Sequence, residues 1–142
     1  VLIVGLKQYL YSPLPVYEGE IIFNELNDTV QVHTDEFGVP HIFAKNDKDL
    51  FLTAGYIAAR ERLFQMSMVA YAVRGELASA LGNKYLSSDI YLRTWRIPSV
   101  AKQLAENMYP EERGILEAFC RGINFYISEV LNLAIFTKKL FL

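Results

Sequence analysis

Residues 49–74 read DLFLTAGYIAARERLFQMSMVAYAVR, and how that run is housed decides the fold. Apolar side chains at Leu50, Ala54, Ile57, Phe64, Met68 and Tyr71 recur at helical spacing, which predicts one long helix from about Lys48 to Arg74. Phe51, Ala58, Leu63, Met66 and Val69 fill the remaining faces, so the helix is apolar nearly all round. Such a helix either crosses a membrane or is buried within a large protein. Arg60, Glu61 and Arg62 stand at its centre, and charges there cost roughly 2.5–3.5 kcal/mol each on membrane-insertion scales. A buried helix outside the membrane is therefore expected, with its arginines paired to carboxylates, because an unpaired buried charge is costly. The helix is roughly 40 Å long at 1.5 Å per residue. A free-standing globule of 142 residues has a radius of gyration of only about 14–15 Å. The sequence thus predicts more protein around this helix than the chain itself supplies.

Upstream of the helix, Gly19–Asn24 and Asp28–Thr34 read as strands joined by the short connection Glu25-Leu26-Asn27. In the second, Val30 and Val32 alternate with Gln31 and His33. Asp35-Glu36-Phe37-Gly38 fits a type I turn, with Asp first and Gly fourth. A third strand, Val39–Ala44, follows, and Pro40 confines its start to an edge or a strand end. Asn46 and Asp47 both suit the helix N-cap. Further upstream, Ser12-Pro13-Leu14-Pro15 reads as an extended linker, because two prolines stop a helix. Val1–Leu6 is apolar but far shorter than the ~20 residues a span needs. It reads equally as a short buried arm or as the remnant of an upstream membrane anchor or signal segment.

Downstream, Gly75 and Gly82 end the long helix, with a further turn or two between them at Glu76–Leu81. Tyr85–Pro98 has no clear period and is expected to be irregular. Ser99 is placed to cap a helix to about Met108, with Val100, Leu104 and Met108 on one face. Pro110 opens a last helix, with Glu111 and Glu112 favourably placed at its positive end. Its stripe is Ile115, Phe119, Ile123, Tyr126 and Val130, with an i,i+4 pair of Glu117 and Arg121 on the other side. Residues 131–142 end on bare apolar side chains without turn chemistry, where a domain boundary is usually polar, so the fold is expected to continue past this chain.

Composition narrows the function classes. Lys and Arg number 14 against 16 Asp and Glu, a net charge of −2, which lacks the basic footprint of a nucleic-acid binder. With 52% hydrophobic residues the chain is not intrinsically disordered. Its single cysteine, Cys120, excludes a disulfide framework.

Site chemistry is sparse. There is no G-x-S-x-G elbow, H-E-x-x-H pair, Gly-rich phosphate loop or Cys/His metal cluster. Of the two imidazoles, His33 is expected to face solvent from a strand and His41 to make a structural hydrogen bond at a strand start. Cys120 lies on the apolar stripe and is expected to be a buried, inert thiol. Glu61 and Asp89 are expected to form salt bridges with Arg62 or Arg93 rather than act as acid or base.

Several ordered fragments carry a resemblance. They are Asp35–Ala44 (DEFGVPHIFA), Gly55–Met66 (GYIAARERLFQM), Arg74–Ala78 (RGELA) and Leu81-Gly82, then Asp89 and Arg93, then Gly122–Ile127 (GINFYI). In order and spacing these resemble the start of the penicillin acylase (penicillin amidase) family, over about residues 17 to 130. Glu61 stands where the family often has Asp, which keeps the charge but changes its reach. Residues 131–142 match nothing in the family and form an apolar tail, and residues 1–16 form an arm and linker before the matched region.

The resemblance implies an α+β fold: part of the αββα core of an N-terminal-nucleophile hydrolase, with N-terminal strands followed by a mainly helical segment. It implies an enzyme that hydrolyses linear amides, such as the acyl side chain of a β-lactam or a homoserine lactone. In that family a precursor is cut into an α chain and a β chain, and the new N-terminal Ser of the β chain attacks the amide carbonyl, with its own α-amino group as base. A free amine beside the hydroxyl is required, so the nucleophile lies outside this chain. The oxyanion-hole donors, the acyl pocket and the calcium ligands known in some members lie outside it too. The resemblance therefore assigns this chain no catalytic, cofactor-binding or metal residue and predicts it inactive alone. The β chain of the same precursor would be its partner, and the setting would be periplasmic or extracytoplasmic. Tyr56 and Arg62 are read as structural rather than substrate-contacting, with the Arg60-Glu61-Arg62 triplet as an internal ion-pair anchor. A rival from another class is a non-catalytic orphan or truncated module that binds a partner. A membrane-associated helical protein, suggested by the apolar ends, is opposed by the charged centre of the long helix.

Overall fold

The computed structural model describes residues 18–140, with side chains to residue 131. The N-terminal arm, the Ser12–Pro15 linker and the side chains of residues 132–142 lie outside the described residues. The fold is α+β and mostly helical. A hairpin of β1 (Gln31–Thr34) and β2 (Pro40–Phe43) leads into the long helix α1 (Asp47–Arg74). Then follow a short α2 (Leu77–Leu81), a 3₁₀ turn (Asn83–Tyr85), α3 (Leu86–Thr94), α4 (Ile97–Glu106) and a second long helix, α5 (Pro110–Leu140).

The ends of α1 follow from their residues. Asn46 is the N-cap, and its side chain accepts the Asp49 N–H at 2.9 Å. Asp47 and Asp49 place negative charge in the first turn. Gly75 stops the helix in the left-handed region (φ 64°, ψ 47°). The N–H of Gly75 donates to the Ala72 carbonyl and that of Glu76 to the Tyr71 carbonyl, the paired bonds of a Schellman motif. Arg62 (φ −139°, ψ 23°) breaks the helix into two arms, a kink the apolar spacing does not announce.

The core lies where the first arm of α1 crosses α5. Gly55 and Gly122 let the backbones touch. A Cβ on Gly55 would collide with the Phe119 carbonyl, and one on Gly122 with the Leu52 carbonyl and, at 2.7 Å, the Tyr56 nitrogen. Leu52, Ile57, Ala59 and Ala118 are buried around this crossing. Phe23 stacks flat on Phe125 with ring centroids 4.0 Å apart, and Tyr56 meets Tyr126 edge-on at 5.5 Å.

The strand expected at Gly19–Asn24 does not form. The Leu26 N–H instead closes a turn on the Phe23 carbonyl, and the N–H groups of Asn27 and Asp28 are taken by the Asp49 carboxylate. The second expected strand is confined to Gln31–Thr34, and all four of its residues are exposed, so the Val30/Val32 alternation buries no face. The turn at Asp35–Gly38 forms as expected: the Gly38 N–H donates to the Asp35 carbonyl at 3.0 Å, and Gly38 has φ 79°. The antiparallel register sets Val32 opposite Ile42, His33 opposite His41 and Thr34 opposite Pro40.

The region expected to be irregular at Tyr85–Pro98 contains α3. Its Leu86, Ile90 and Tyr91 are exposed, so no apolar stripe marks it, and the buried Asp89 anchors it. Helix α4 starts before Ser99, because Arg96 adopts a left-handed conformation (φ 53°, ψ 31°) and Pro98 sits in the first turn. Its Val100 and Leu104 are exposed. The Glu117–Arg121 pair is replaced by an exposed contact between Arg121 Nε and Glu25 Oε2 at 3.6 Å. Among the described residues, no helix is long and apolar enough to cross a membrane.

Candidate functional site

Three carboxylates and one phenol make the polar nodes that hold these elements. Asp49, fully buried, accepts the Asn27 N–H at 3.0 and 3.2 Å, the Asp28 N–H at 3.0 Å and the Asn46 side-chain amide at 2.7 Å. Burial pushes its carboxyl upward, but the hydrogen bonds from Asn27, Asn46 and Asp28 outweigh it and hold the group below its ordinary value. No sequence motif marks this role. Its backbone partners lie more than twenty positions upstream, Asn27 in the expected connection and Asp28 at the start of the second expected strand, and only the Asn46 cap and the acidic first turn of the helix were legible.

Asp35 organises the hairpin. One carboxylate oxygen accepts the N–H groups of Phe37 (3.0 Å) and Val39 (2.8 Å), and the other meets His41 Nε2 at 3.0 Å. The contact with His41, then that with Val39, lowers the Asp35 pKa. His41 thus makes the structural hydrogen bond expected of it. His33 is exposed as expected, with its ring edge-on to Phe43.

Asp89, 4% exposed, forms no salt bridge with Arg93. Its oxygens accept the N–H groups of Leu77 (2.9 Å) and Ala78 (2.7 Å), the free donors at the start of α2. Arg93 instead donates from Nε to the Gly75 carbonyl at 2.9 Å. The expected ion pair is replaced by two charge-assisted bonds to backbone, because both side chains face the Gly75 turn.

Tyr56 donates its hydroxyl to Glu129 Oε2 at 2.8 Å across the α1–α5 crossing. Burial first, and the Glu129 carboxylate second, push its pKa well above the usual phenol value. Glu61 pairs with Arg60 (Nε to Oε1, 2.9 Å) rather than with Arg62. Arg62 is exposed at the kink and donates to Gln65 Oε1 at 3.2 Å, so the triplet is not one internal anchor. Cys120 is exposed rather than buried, because α5 turns it away from the crossing that covers Ala118 and Gly122.

Past the kink, an open apolar groove of about 610 Å³ runs along the second arm of α1 to Pro98. Met66, Val69 and Val73 line it, with Arg62 and Arg74 at the two ends of that stretch of helix. Nearby Phe64 is 75% exposed. The hydroxyls of Ser67, Ser79, Thr94 and Ser128 donate to carbonyls of their own helical turns. These nodes fix backbone, and the groove offers apolar surface; neither sets a nucleophile beside a base. Among the described residues no group of three His, Cys, Asp or Glu side chains is arranged to hold a metal ion.

Residues 29–136 match the family model for penicillin amidase. The chain belongs to the penicillin amidase family. This amidase-family chain is 33% identical over 101 residues to a penicillin G acylase of Escherichia coli, covering 71% of this chain and 12% of that protein. Over 122 residues it is 29% identical to a penicillin acylase 2 proenzyme of a Pseudomonas species, covering 86% and 16%. It is 28% identical over 114 residues to an acyl-homoserine lactone acylase of Pseudomonas fluorescens, covering 80% and 14%. Its structure is similar to that of a thermostable penicillin G acylase from Alcaligenes faecalis, with TM-score 0.67 and 31% identity, covering 73% of this chain and 55% of that one. The chain thus spans 12–16% of the length of these three sequence relatives.

Proposed function

We propose that this chain is the N-terminal scaffold of an acylase that hydrolyses the carbon–nitrogen bond of a linear amide. Its reacting Ser is the first residue of a β chain made from the same precursor. The observation that carries this reading is how the family's motif residues are used. Asp35 and His41 fix a turn, Gly55 and Gly122 bring two backbones together, and Asp89 and Arg93 secure the Gly75 turn. Each of these residues serves to position backbone, directly or, for His41, through Asp35, which is the work of a scaffold. The exposed groove beside the kink supports a β chain that covers α1.

The amide substrate is drawn from the class named by the relatives, an acyl side chain on a β-lactam or on a homoserine lactone. A periplasmic or extracytoplasmic setting belongs to the same proposal. The test is to read the coding DNA past codon 142, express the complete frame, and sequence the N-termini of its products by mass spectrometry. The expected result is a second polypeptide that begins with Ser, together with hydrolysis of an acyl-amide reporter. A complete frame that yields no such Ser and no hydrolysis would overturn the proposal and leave a non-catalytic module.

A further inference from the structure

The loop ahead of the hairpin carries side chains that the scaffold does not use. Glu25-Leu26-Asn27-Asp28-Thr29 contains Asn-x-Thr with x other than Pro, the acceptor motif for N-linked glycosylation, and no other asparagine of the chain heads such a triplet. Glu25, two positions before the acceptor, extends the motif to the acidic-x-Asn-x-Thr form that bacterial oligosaccharyltransferases read. The segment lies in neither a helix nor a strand. The buried Asp49 carboxylate holds it from within through the Asn27 and Asp28 N–H groups, and the Asn27 and Thr29 residues stay exposed. Among the described residues neither the Asn27 side-chain amide nor the Thr29 hydroxyl has a hydrogen-bond partner. Asp28 between them is drawn aside, accepting Lys45 Nζ at 2.6 Å and the Thr29 N–H at 2.7 Å. Glu25 is exposed as well, and its carboxylate lies 3.6 Å from Arg121 Nε.

We infer that Asn27 is a modification site, the acceptor of one N-linked oligosaccharide. Its side-chain Nδ2 attacks the anomeric carbon of a polyprenyl-pyrophosphate oligosaccharide. The C–N bond forms as the C–O bond to pyrophosphate breaks, the pyrophosphate leaves with that electron pair, and the amide proton passes to a base of the transferase. The Thr29 hydroxyl, free to donate and accept, is the recognition group two positions on. A glycan is bulky and hydrophilic and needs a surface acceptor, which the exposed loop supplies. The inference rests on the extracytoplasmic part of the proposed function, since the lipid-linked donor is used on that side of the membrane.

The experiment incubates the purified product of the complete frame with a purified bacterial oligosaccharyltransferase and its lipid-linked oligosaccharide, and maps modified peptides by mass spectrometry. The expected result is a mass gain of one oligosaccharide on the peptide that contains Asn27. The gain is expected to be lost in Asn27→Gln, Thr29→Ala and Glu25→Ala and kept in Thr29→Ser. Every variant retains the backbone N–H groups that Asp49 accepts, and far-UV circular dichroism checks that the fold is kept. The same mapping on the protein isolated from its own host is expected to find the glycan. Asn27 left bare beside a fully modified control acceptor peptide, Asn27 bare in the host, or modification undiminished in Thr29→Ala would overturn the inference. Hydrolysis of an acyl-amide reporter is measured on the same sample, so a failure of the amidase reading is told apart from a failure of this site.

Discussion

Asp49 and Asp35 show how single carboxylates organise this chain from the inside. Replacing Asp49 by Ala leaves the N–H groups of Asn27 and Asp28 without their acceptor in a partly buried setting, an expected loss of about 1–2 kcal/mol, measurable by urea unfolding. The sign of the pH dependence follows from the depressed pKa of Asp49 in the folded state. Its stabilisation is fully present above the ordinary carboxylate value and is lost only as pH falls through the lower folded value. The amide shifts of Asn27 and Asp28 are therefore expected to titrate with a midpoint below 3.8, and a midpoint above it would contradict the geometry. Arg96 offers a test of opposite sign. Its left-handed backbone strains any side chain, so Arg96→Gly is expected to leave stability unchanged or raise it by up to about 1 kcal/mol, read as the melting temperature. At this scale the sequence was legible where partners are close along the chain, as at the Asp35 turn, the Asn46 cap and the Gly75 stop. It was opaque at the backbone partners of Asp49 and Asp89, which lie 21–22 and 11–12 residues away and have no side-chain identity to read.

Among the elements, the crossing of α1 and α5 carries most of the burial, and it depends on two glycines. Gly122→Ala is expected to cost about 3 kcal/mol or to splay the helices, because the new methyl meets the Leu52 carbonyl rather than a movable side chain. Gly114→Ala on the same helix meets nothing within 4 Å and is the matched control, with an expected small gain from helix propensity. Thermal melts of the two variants separate the close contact from any general effect of alanine. The extents of α1 and the start of α5 followed from apolar spacing and caps, since periodicity and end chemistry agree there. The Arg62 kink did not, because nothing in the local sequence opposes a straight helix. Helix α3 was missed for the converse reason: it is held by the buried Asp89 and turns Leu86, Ile90 and Tyr91 outward, so periodicity has no core face to report. The Gly19–Asn24 segment has strand composition but pairs with no strand among the described residues, and composition alone does not supply a partner.

Among the described residues, an open apolar groove runs along the second arm of α1. The first arm of α1 is enclosed by α5, while the second arm presents Phe64 and Val69 at 75% and 59% exposure beside the groove. The sequence predicts a helix apolar on nearly all faces, and among the described residues its exposure falls on the half beyond the kink. On the proposed function this chain supplies structure to an amidase and no reacting group. The most direct measurement is hydrolysis of chromogenic acyl-amide reporters by the purified 142-residue chain on its own. No turnover above the uncatalysed rate is expected, whereas saturable turnover that co-purifies with the single chain would contradict the claim.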